Sequence, residues 1–139
     1  MKLPDHPLFD SLRSLGLPSE DFVVFGSGPL LAHRLKDDIP DLDVLARGKA
    51  WQQAQRFAAP ERAPSGVGSI IRAPGNIEIF DAWPLKGKGW NVDWLIDSAE
   101  IIDGIRFVPL ETVLNWKESA GRPKDEDDVA LLRKYLGLD

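Results

Sequence analysis

The sequence predicts a single α+β domain in which helices flank a central mixed β-sheet. Three observations support this class. Helical patterns occur before, between and after short apolar strand patterns. The 139 residues are enough for one hydrophobic core, and no internal repeat or low-complexity linker divides them. Hydrophobic residues make up 43% of the chain and charged residues 28%, which is typical of a globular protein. We therefore expect one domain over residues 1–139, with its sheet covered mainly on one face.

The first half of the chain alternates helical and strand patterns. Leu8, Leu12 and Leu15 recur at helical spacing, and Gly16 provides a glycine stop after them. Pro29 suits the first turn of a helix, where its missing N–H costs nothing. Two short apolar runs, DFVVFG and DLDVLA, have the length of buried strands. The predicted elements are a helix at 7–16, a strand at 21–26, a helix at 29–36, a strand at 41–46 and a helix at 49–59.

The second half contains a hairpin pattern and two closing helices. The run VGSIIRAPGNIEIFDAW predicts two strands joined at APGN, between loops at 59–66 and 84–90. We divide the domain into a core at 20–108 and a C-terminal helical segment at 109–139. The remaining predicted elements are a helix at 92–100, a strand at 105–109, and helices at 110–119 and 125–137.

The composition argues against disulfides, thiolate metal sites, a membrane span and a signal peptide. The chain has no cysteine, which rules out disulfides and thiolate metal ligands, so a metal would be held by carboxylates or by the two histidines. No apolar run approaches the ~20 residues of a membrane span, and residues 1–10 lack the apolar segment of a signal peptide. We expect a cytoplasmic protein. The net charge of −5 argues against tight non-specific binding to nucleic acid, because such binding depends on lysine and arginine.

A Gly-Ser-Gly corner joins the first predicted strand to the following helix. Glycine at such a corner lets the backbone approach a ligand closely, and the N–H groups that open the next helix carry a partial positive charge. Gly26 and Ser27 are therefore candidates for holding a phosphate. The alternative is an ordinary tight turn, in which glycine is common.

Two aspartates are spaced to share one face of the second predicted strand. The strand period of two places Asp41 and Asp43 on one face, with Leu42 and Val44 on the other. Two carboxylates so close repel and raise each other's pKa unless a divalent cation lies between them. Carboxylate oxygens favour Mg²⁺ or Mn²⁺. The alternative is a strand edge that carries solvated acids.

A third carboxylate would complete a metal site, and the run NIEIFDAW offers two. Glu78 and Asp81 are three residues apart, so they lie on opposite faces of an ideal strand and only one can join the aspartates. We prefer Glu78, flanked by Ile77 and Ile79, because it is deeper in the apolar run. Asp81 stays open as the alternative. Either acid can instead lie on the solvent-exposed face of a half-buried strand.

This combination resembles the core pattern of the DNA polymerase β-like nucleotidyltransferase superfamily. That pattern is an apolar residue, Gly, Gly or Ser, a helix, and then Asp, an apolar residue and Asp or Glu. FGS at 25–27, thirteen further residues and DLDV at 41–44 match it in order and spacing. The tail PLETVLNWKESAGRPKDEDDVALL at 109–132 is similar to the ending of small bacterial members, including the abortive-infection type IV toxin nucleotidyltransferases.

The resemblance implies a nucleotidyltransferase-like fold and a metal-dependent enzyme. Its reaction would transfer a nucleoside monophosphate from an NTP to an unknown acceptor, with Mg²⁺ or Mn²⁺ as cofactor. By the same resemblance, Gly26 and Ser27 would hold the triphosphate. The acids implied in metal binding and catalysis are Asp41, Asp43 and Glu78, and the residues implied to border the nucleotide are Lys117, Arg122 and Asp125.

The same resemblance leaves a second function open. Some small members of the superfamily have lost activity, so the alternative is a catalytically inactive nucleotidyltransferase-fold binding module or a toxin–antitoxin partner, which would act through a protein partner. The chain departs from the superfamily pattern in its ambiguous third acid. It is also too short for a separate polynucleotide-binding domain.

Lys117 interrupts the apolar face of a predicted helix. Leu110, Val113, Leu114 and Lys117 fall at i, i+3, i+4 and i+7, the pattern of a single inward face. One interpretation is that the lysine stem covers apolar surface while its ammonium reaches water. The other, favoured by the resemblance, is that the ammonium points at the cleft beside the Gly-Ser turn and meets the triphosphate.

Tryptophans and a lysine-containing loop complete the candidates. Trp83 and Trp116 are among five tryptophans that can stack a base, although buried tryptophans usually serve packing first. Lys86 and Lys88, in the loop at 84–90, either meet a substrate phosphate or remain solvated.

Overall fold

A seven-stranded mixed sheet forms the centre of the structure, a computed structural model that describes residues 1–85 and 90–138. The strands are β1 Phe22–Phe25, β2 Leu42–Ala46, β3 Glu61–Arg62, β4 Ser69–Ala73, β5 Ile77–Phe80, β6 Glu100–Ile102 and β7 Ile105–Phe107. Their order across the sheet is β3-β4-β5-β2-β1-β7-β6. The sheet is mixed because β2 pairs with β5 and β1 with β7 in parallel, whereas the remaining pairs are antiparallel.

Within the described residues, six helices pack around this sheet. They are α1 Pro7–Ser14, α2 Gly28–Ala32, α3 Gly48–Ala54, α4 Val92–Asp97, α5 Leu110–Ala120 and α6 Glu126–Tyr135. Two short 3₁₀ turns, Ser19–Asp21 and Pro123–Asp125, precede β1 and α6. The predicted single α+β domain with a central mixed sheet is therefore confirmed.

Helices cover both faces of the sheet, so the expectation of one covered face is wrong. Alternate residues of β1 belong to two separate hydrophobic clusters, Phe22 and Val24 to the first, Val23 and Phe25 to the second. The helices α1 and α3 contribute to the first cluster. The second cluster receives side chains from α4 and α5, together with Leu132 of α6. Because strand side chains alternate, each central strand supplies both cores.

The predicted elements are present, but several boundaries differ. The helix α2 ends at Ala32 rather than at residue 36, because Arg34 adopts a left-handed conformation with φ of 63°. The helix α3 ends at Ala54, five residues earlier than expected. The two-residue strand β3 lies in a segment predicted to be a loop. The strand β6 begins at Glu100, which the sequence analysis placed at the end of a helix.

A tight hairpin between β6 and β7 escaped the sequence analysis. Asp103 and Gly104 connect the two strands with φ values of 50° and 78°. Two successive positive φ values are typical of a two-residue type I′ turn, for which Asp-Gly is a preferred sequence. The Asp-Gly pair is therefore the signal that would have predicted this hairpin.

Two further expectations concern membrane insertion and the loop at 84–90. No helix in residues 1–85 or 90–138 has the length and apolar character needed to cross a membrane. Lys86 and Lys88, considered as contacts for a substrate phosphate, lie outside the described residues.

Gly28 opens α2 in close contact with the sheet and provides a test of this packing. A Cβ atom at Gly28 would lie 2.3 Å from Val24 Cγ1 and 3.1 Å from Leu42 Cδ2. Helix propensity alone predicts that Gly28→Ala stabilises the protein by about 0.5–1 kcal/mol. Because the methyl group would overlap buried side chains, we expect instead a loss of about 1–3 kcal/mol in the free energy of unfolding, measured with urea. Gln53→Ala, on the exposed part of α3, is the control. A Gly28→Ala variant as stable as the wild type would contradict the close packing.

Candidate metal centre

Three carboxylates converge on one face of the sheet. Asp43 of β2 and Glu78 of β5 are Cα partners in the parallel register, and Asp41 lies two residues before Asp43. One ligand oxygen from each of the three residues lies within 4.8 Å of the other two. The strand period of two therefore brings together three acids that are close enough to share a cation.

Asp81, the alternative third acid, lies apart from this group. Its Oδ1 accepts a hydrogen bond from the backbone N–H of Ser69 at 2.7 Å, at the start of β4. Asp81 is three residues after Glu78, and strand alternation directs side chains at that offset to opposite faces. The two acids therefore do not share one face, as the spacing predicted. The geometry thus joins Glu78, and not Asp81, to the aspartates.

The backbone of Gly26 lies directly against Asp43. Gly26 has a φ of +64°, and a Cβ atom there would lie 2.7 Å from Asp43 Oδ2. Both the left-handed conformation and the close approach require glycine. The first glycine of the Gly-Ser-Gly corner therefore allows the turn to approach the Asp43 carboxylate closely.

A cavity of about 450 Å³ lies beside the carboxylates. The three acids and the Gly-Ser turn contribute to its lining. Its volume is in the range of pockets that hold small molecules. The cavity also receives four cations from other parts of the chain: Lys36, Lys117, Arg122 and Lys124. A cavity that combines carboxylates with cations suits a ligand that carries phosphate groups together with a divalent cation.

Lys117 is buried and bonded to two carboxylates. Its side chain is 2% exposed, and its Nζ lies 2.9 Å from Asp125 Oδ1 and 3.2 Å from Asp128 Oδ2. The inward position predicted by helical periodicity is confirmed. The interpretation in which the ammonium reaches water is wrong, because the ammonium is enclosed with its two partners.

Asp128 connects the C-terminal helix to the Gly-Ser turn. Its Oδ2 accepts a hydrogen bond from the Ser27 hydroxyl at 2.6 Å, and its Oδ1 accepts one from Lys36 Nζ at 2.7 Å. Burial tends to raise the pKa of Asp128, but the hydrogen bonds from Lys36 and Ser27 outweigh burial and hold the pKa below its ordinary value. The Ser27 hydroxyl, expected to hold a triphosphate, is thus hydrogen-bonded within the protein.

Sequence reasoning missed Asp128, Lys36 and Lys124 as residues of this site. The available signal for Asp128 is its position four residues before the buried Leu132, on the inward face of α6. Lys36 follows a helix that ends earlier than predicted, so no periodicity indicates its direction. Lys124 is exposed and carries no pattern that separates it from other surface lysines.

Asp125 and Arg122, which the resemblance places at the border of a nucleotide, both line the cavity, and the nucleotide contact stays a prediction. Arg122 Nε donates a hydrogen bond to Asp125 Oδ2 at 2.6 Å, and its Cζ lies 4.6 Å from the ring centroid of Trp116. Burial tends to raise the pKa of Asp125, but hydrogen bonds from Arg122 and Lys117 outweigh burial and lower it. The carboxylate therefore remains ionised between two cations.

Aromatic rings pack behind this part of the cavity. Trp83 contacts Phe25, Phe80 and Trp116, with ring centroids between 4.8 and 5.6 Å apart. Trp83 also lines the cavity, and its buried indole N–H has no hydrogen-bond partner in the described part of the chain. These two tryptophans serve packing, as expected, and Trp83 adds an aromatic surface next to the cations.

The carboxyl of Asp43 has a strongly raised pKa. Burial, followed by the negative charges of Asp41 and Glu78, raises the pKa of Asp43 from 3.8 to about 7. The positive charges of Lys124 and Lys117 counteract only part of this rise. A divalent cation would relieve the repulsion among the acids, and three carboxylates are the oxygen donors that Mg²⁺ and Mn²⁺ prefer. The donor set therefore fits such a cation.

Comparison with known proteins does not assign the chain to a family. A scan against protein-family models, a search of curated proteins and a search of solved structures each found no match. A functional proposal for this chain therefore depends on its own residues and their geometry.

The raised pKa of Asp43 predicts that stability falls as the pH rises from about 4 to 7. The folded state binds the Asp43 proton more tightly than the unfolded state, whose pKa is near 3.8, so ionisation costs more in the folded state. The stability lost by pH 8 is on the order of a few kcal/mol. Urea unfolding without metal, at pH 5 and at pH 8, measures this loss. In Asp43→Asn the loss should be much smaller. An identical pH dependence in wild type and variant would show that Asp43 is not strongly perturbed.

Replacement of Lys117 should destabilise the protein strongly. Lys117→Met keeps most of the side-chain volume but leaves Asp125 and Asp128 without their shared ammonium. Because breaking a buried ion pair leaves uncompensated charge, we expect a loss of about 3–5 kcal/mol in the free energy of unfolding at pH 7. Lys124→Met, at an exposed position, is the matched control and should change stability little. Equal stabilities of the two variants would mean that Lys117 is not enclosed as described.

Proposed function

We propose that the chain is a metal-dependent nucleotidyltransferase with a DNA polymerase β-like fold. It transfers a nucleoside monophosphate from an NTP to an acceptor hydroxyl. The observation that carries the proposal is the convergence of Asp41, Asp43 and Glu78 beside the Gly-Ser turn, in a cavity that also contains four cations. Two of the acids and the turn belong to the sequence pattern that resembles the superfamily.

The residues of the cavity supply the two kinds of group that a metal-bound triphosphate needs. Asp41, Asp43 and Glu78 would hold Mg²⁺ or Mn²⁺, which when bound neutralises phosphate charge and activates the reacting oxygen. Lys124 is exposed, and the half-exposed Lys36 also lines the cavity. The ammonium of Lys124 would donate to the phosphates of an NTP, and hydrogen bonds between charged partners are the stronger ones. Lys36, whose Nζ donates to Asp128, would add positive charge beside them.

The proposed reaction exchanges one phosphorus–oxygen bond for another. The acceptor oxygen attacks the α-phosphorus, the bond from the α-phosphorus to the bridging oxygen of the β-phosphate breaks, and pyrophosphate leaves with the electron pair. Asp43 accepts the proton of the acceptor hydroxyl. A carboxylate within reach of the acceptor hydroxyl can take this proton as a general base.

Two hydrogen bonds favour the alternative, a binding module that has the fold without the activity. The Ser27 hydroxyl donates to Asp128, and one oxygen of Glu78 accepts from Arg72 at 2.6 Å. These groups are engaged inside the protein and are not all free for a substrate. In this alternative the chain binds an NTP, or a protein partner, without transferring a nucleotide.

Label transfer tests the proposed reaction. The protein is incubated with Mg²⁺, an extract as the source of acceptors, and an NTP labelled at either the α- or the γ-phosphate. We expect the α label in the acceptor and the γ label in pyrophosphate. Asp43→Asn should lower the rate by at least about 100-fold, because it removes the general base. Asp81→Asn is the matched control, since Asp81 lies outside the carboxylate group, and should retain activity.

Other outcomes of this experiment are equally informative. Transfer of the γ label to the acceptor would contradict nucleotidyl transfer and indicate phosphoryl transfer. If an NTP with Mg²⁺ raises the melting temperature but no label moves, the binding module is the correct description. A ligand at 100 times its Kd should stabilise the folded state by about 2.7 kcal/mol, which such a melting experiment detects.

A further inference from the structure

Glu78 is bonded to an arginine of the neighbouring strand. Arg72 of β4 is the Cα partner of Glu78 in the antiparallel register. Arg72 Nη1 donates a hydrogen bond to Glu78 Oε2 at 2.6 Å, and Arg72 Nε lies 3.9 Å from Glu61 Oε2 of β3. The guanidinium therefore connects the third acid to the edge of the sheet.

We propose that Arg72 is a positioning residue for the metal centre. Its hydrogen bond to Oε2 holds the Glu78 side chain in place and leaves Oε1 available to a divalent cation. The inference rests on the proposed function, because it requires a cation held by the three acids. It assigns a role to a residue that neither ligates the cation nor touches the reacting atoms.

Glu78 needs a positioning partner more than Asp43 does. Gly26 approaches the Asp43 carboxylate so closely that a Cβ atom there would lie 2.7 Å from Asp43 Oδ2, which limits the movement of that side chain. The Glu78 side chain is 26% exposed and has one more rotatable bond than aspartate. Partners that orient a ligating carboxylate are a regular part of metal sites. Arg72 is such a partner, fixed opposite Glu78 by the strand register.

Charge and position predict opposite effects when Arg72 is removed. Arg72 places a positive charge next to a site for a cation, so by Coulomb's law alone its removal would tighten metal binding. If Arg72 positions Glu78, its removal frees the glutamate side chain and weakens metal binding. The sign of the change in metal affinity therefore separates the two roles.

The experiment measures Mn²⁺ binding to the full chain by the electron paramagnetic resonance signal of free Mn²⁺. We expect Arg72→Gln to raise the Kd for Mn²⁺ about tenfold, the low end of the losses that follow removal of such orienting partners. Arg72→Lys keeps the charge and one donor, and should recover part of the affinity. Arg62→Gln removes another exposed arginine, from β3, and should leave the Kd unchanged or slightly lower. Without metal, the urea midpoint of Arg72→Gln should equal that of the wild type, since exposed ion pairs add little stability.

A double-mutant comparison identifies the route of the effect. In a Glu78→Gln background, Arg72→Gln should cause no further loss, because Arg72 acts through Glu78. Equal or tighter Mn²⁺ binding in Arg72→Gln, or the same loss in the Glu78→Gln background, would overturn the positioning role and leave the metal centre intact. A wild-type protein that binds no Mn²⁺ would overturn both the positioning role and the proposed metal-dependent function.

Discussion

The buried ammonium of Lys117 governs how the C-terminal helices meet the sheet. Asp125 and Asp128 lie at the start of α6 and are almost fully enclosed, and two unpaired carboxylates could not remain ionised there. Lys117 lies between them, and Lys36 supplies a second cation to Asp128. Because these bonds are directional, they set the position of α6 against the Gly-Ser turn. They also compensate the negative charge of the two aspartates. The cationic side of the cavity depends on this arrangement.

Carboxylates on the two sides of the cavity experience opposite electrostatic surroundings. Asp125 and Asp128 accept hydrogen bonds from cations, and their pKa values are lowered despite burial. Burial, and after it the negative charges of Asp41 and Glu78, raise the pKa of Asp43. The protein thus pairs its negative charge with cations on the helical side and compensates it only in part on the sheet. The sheet side is where a divalent cation would be most strongly attracted.

Local patterns predicted the parts of the site that lie on one element, and long-range pairing supplied the rest. The period of two predicted that only one of Glu78 and Asp81 could join the aspartates, and depth in the apolar run favoured Glu78. The helical period placed Lys117 inward. The bond between Ser27 and Asp128 joins residues 101 positions apart, which no local pattern encodes. The covering of both sheet faces depends on how helices pack after the sheet has formed, so it was also missed.

The bond between Ser27 and Asp128 also has a consequence for biosynthesis. A growing chain presents the Gly-Ser turn and the three acids first, and the helices that carry Lys117 and Asp128 leave the ribosome after them. A nascent chain can therefore pair its strands and assemble the acids while the cationic side of the cavity is still missing. The complete cavity forms only after Asp128 has been synthesised and α6 has docked on the turn. A chain stalled before α6 would therefore have the sheet and the three acids without the cationic side of the cavity.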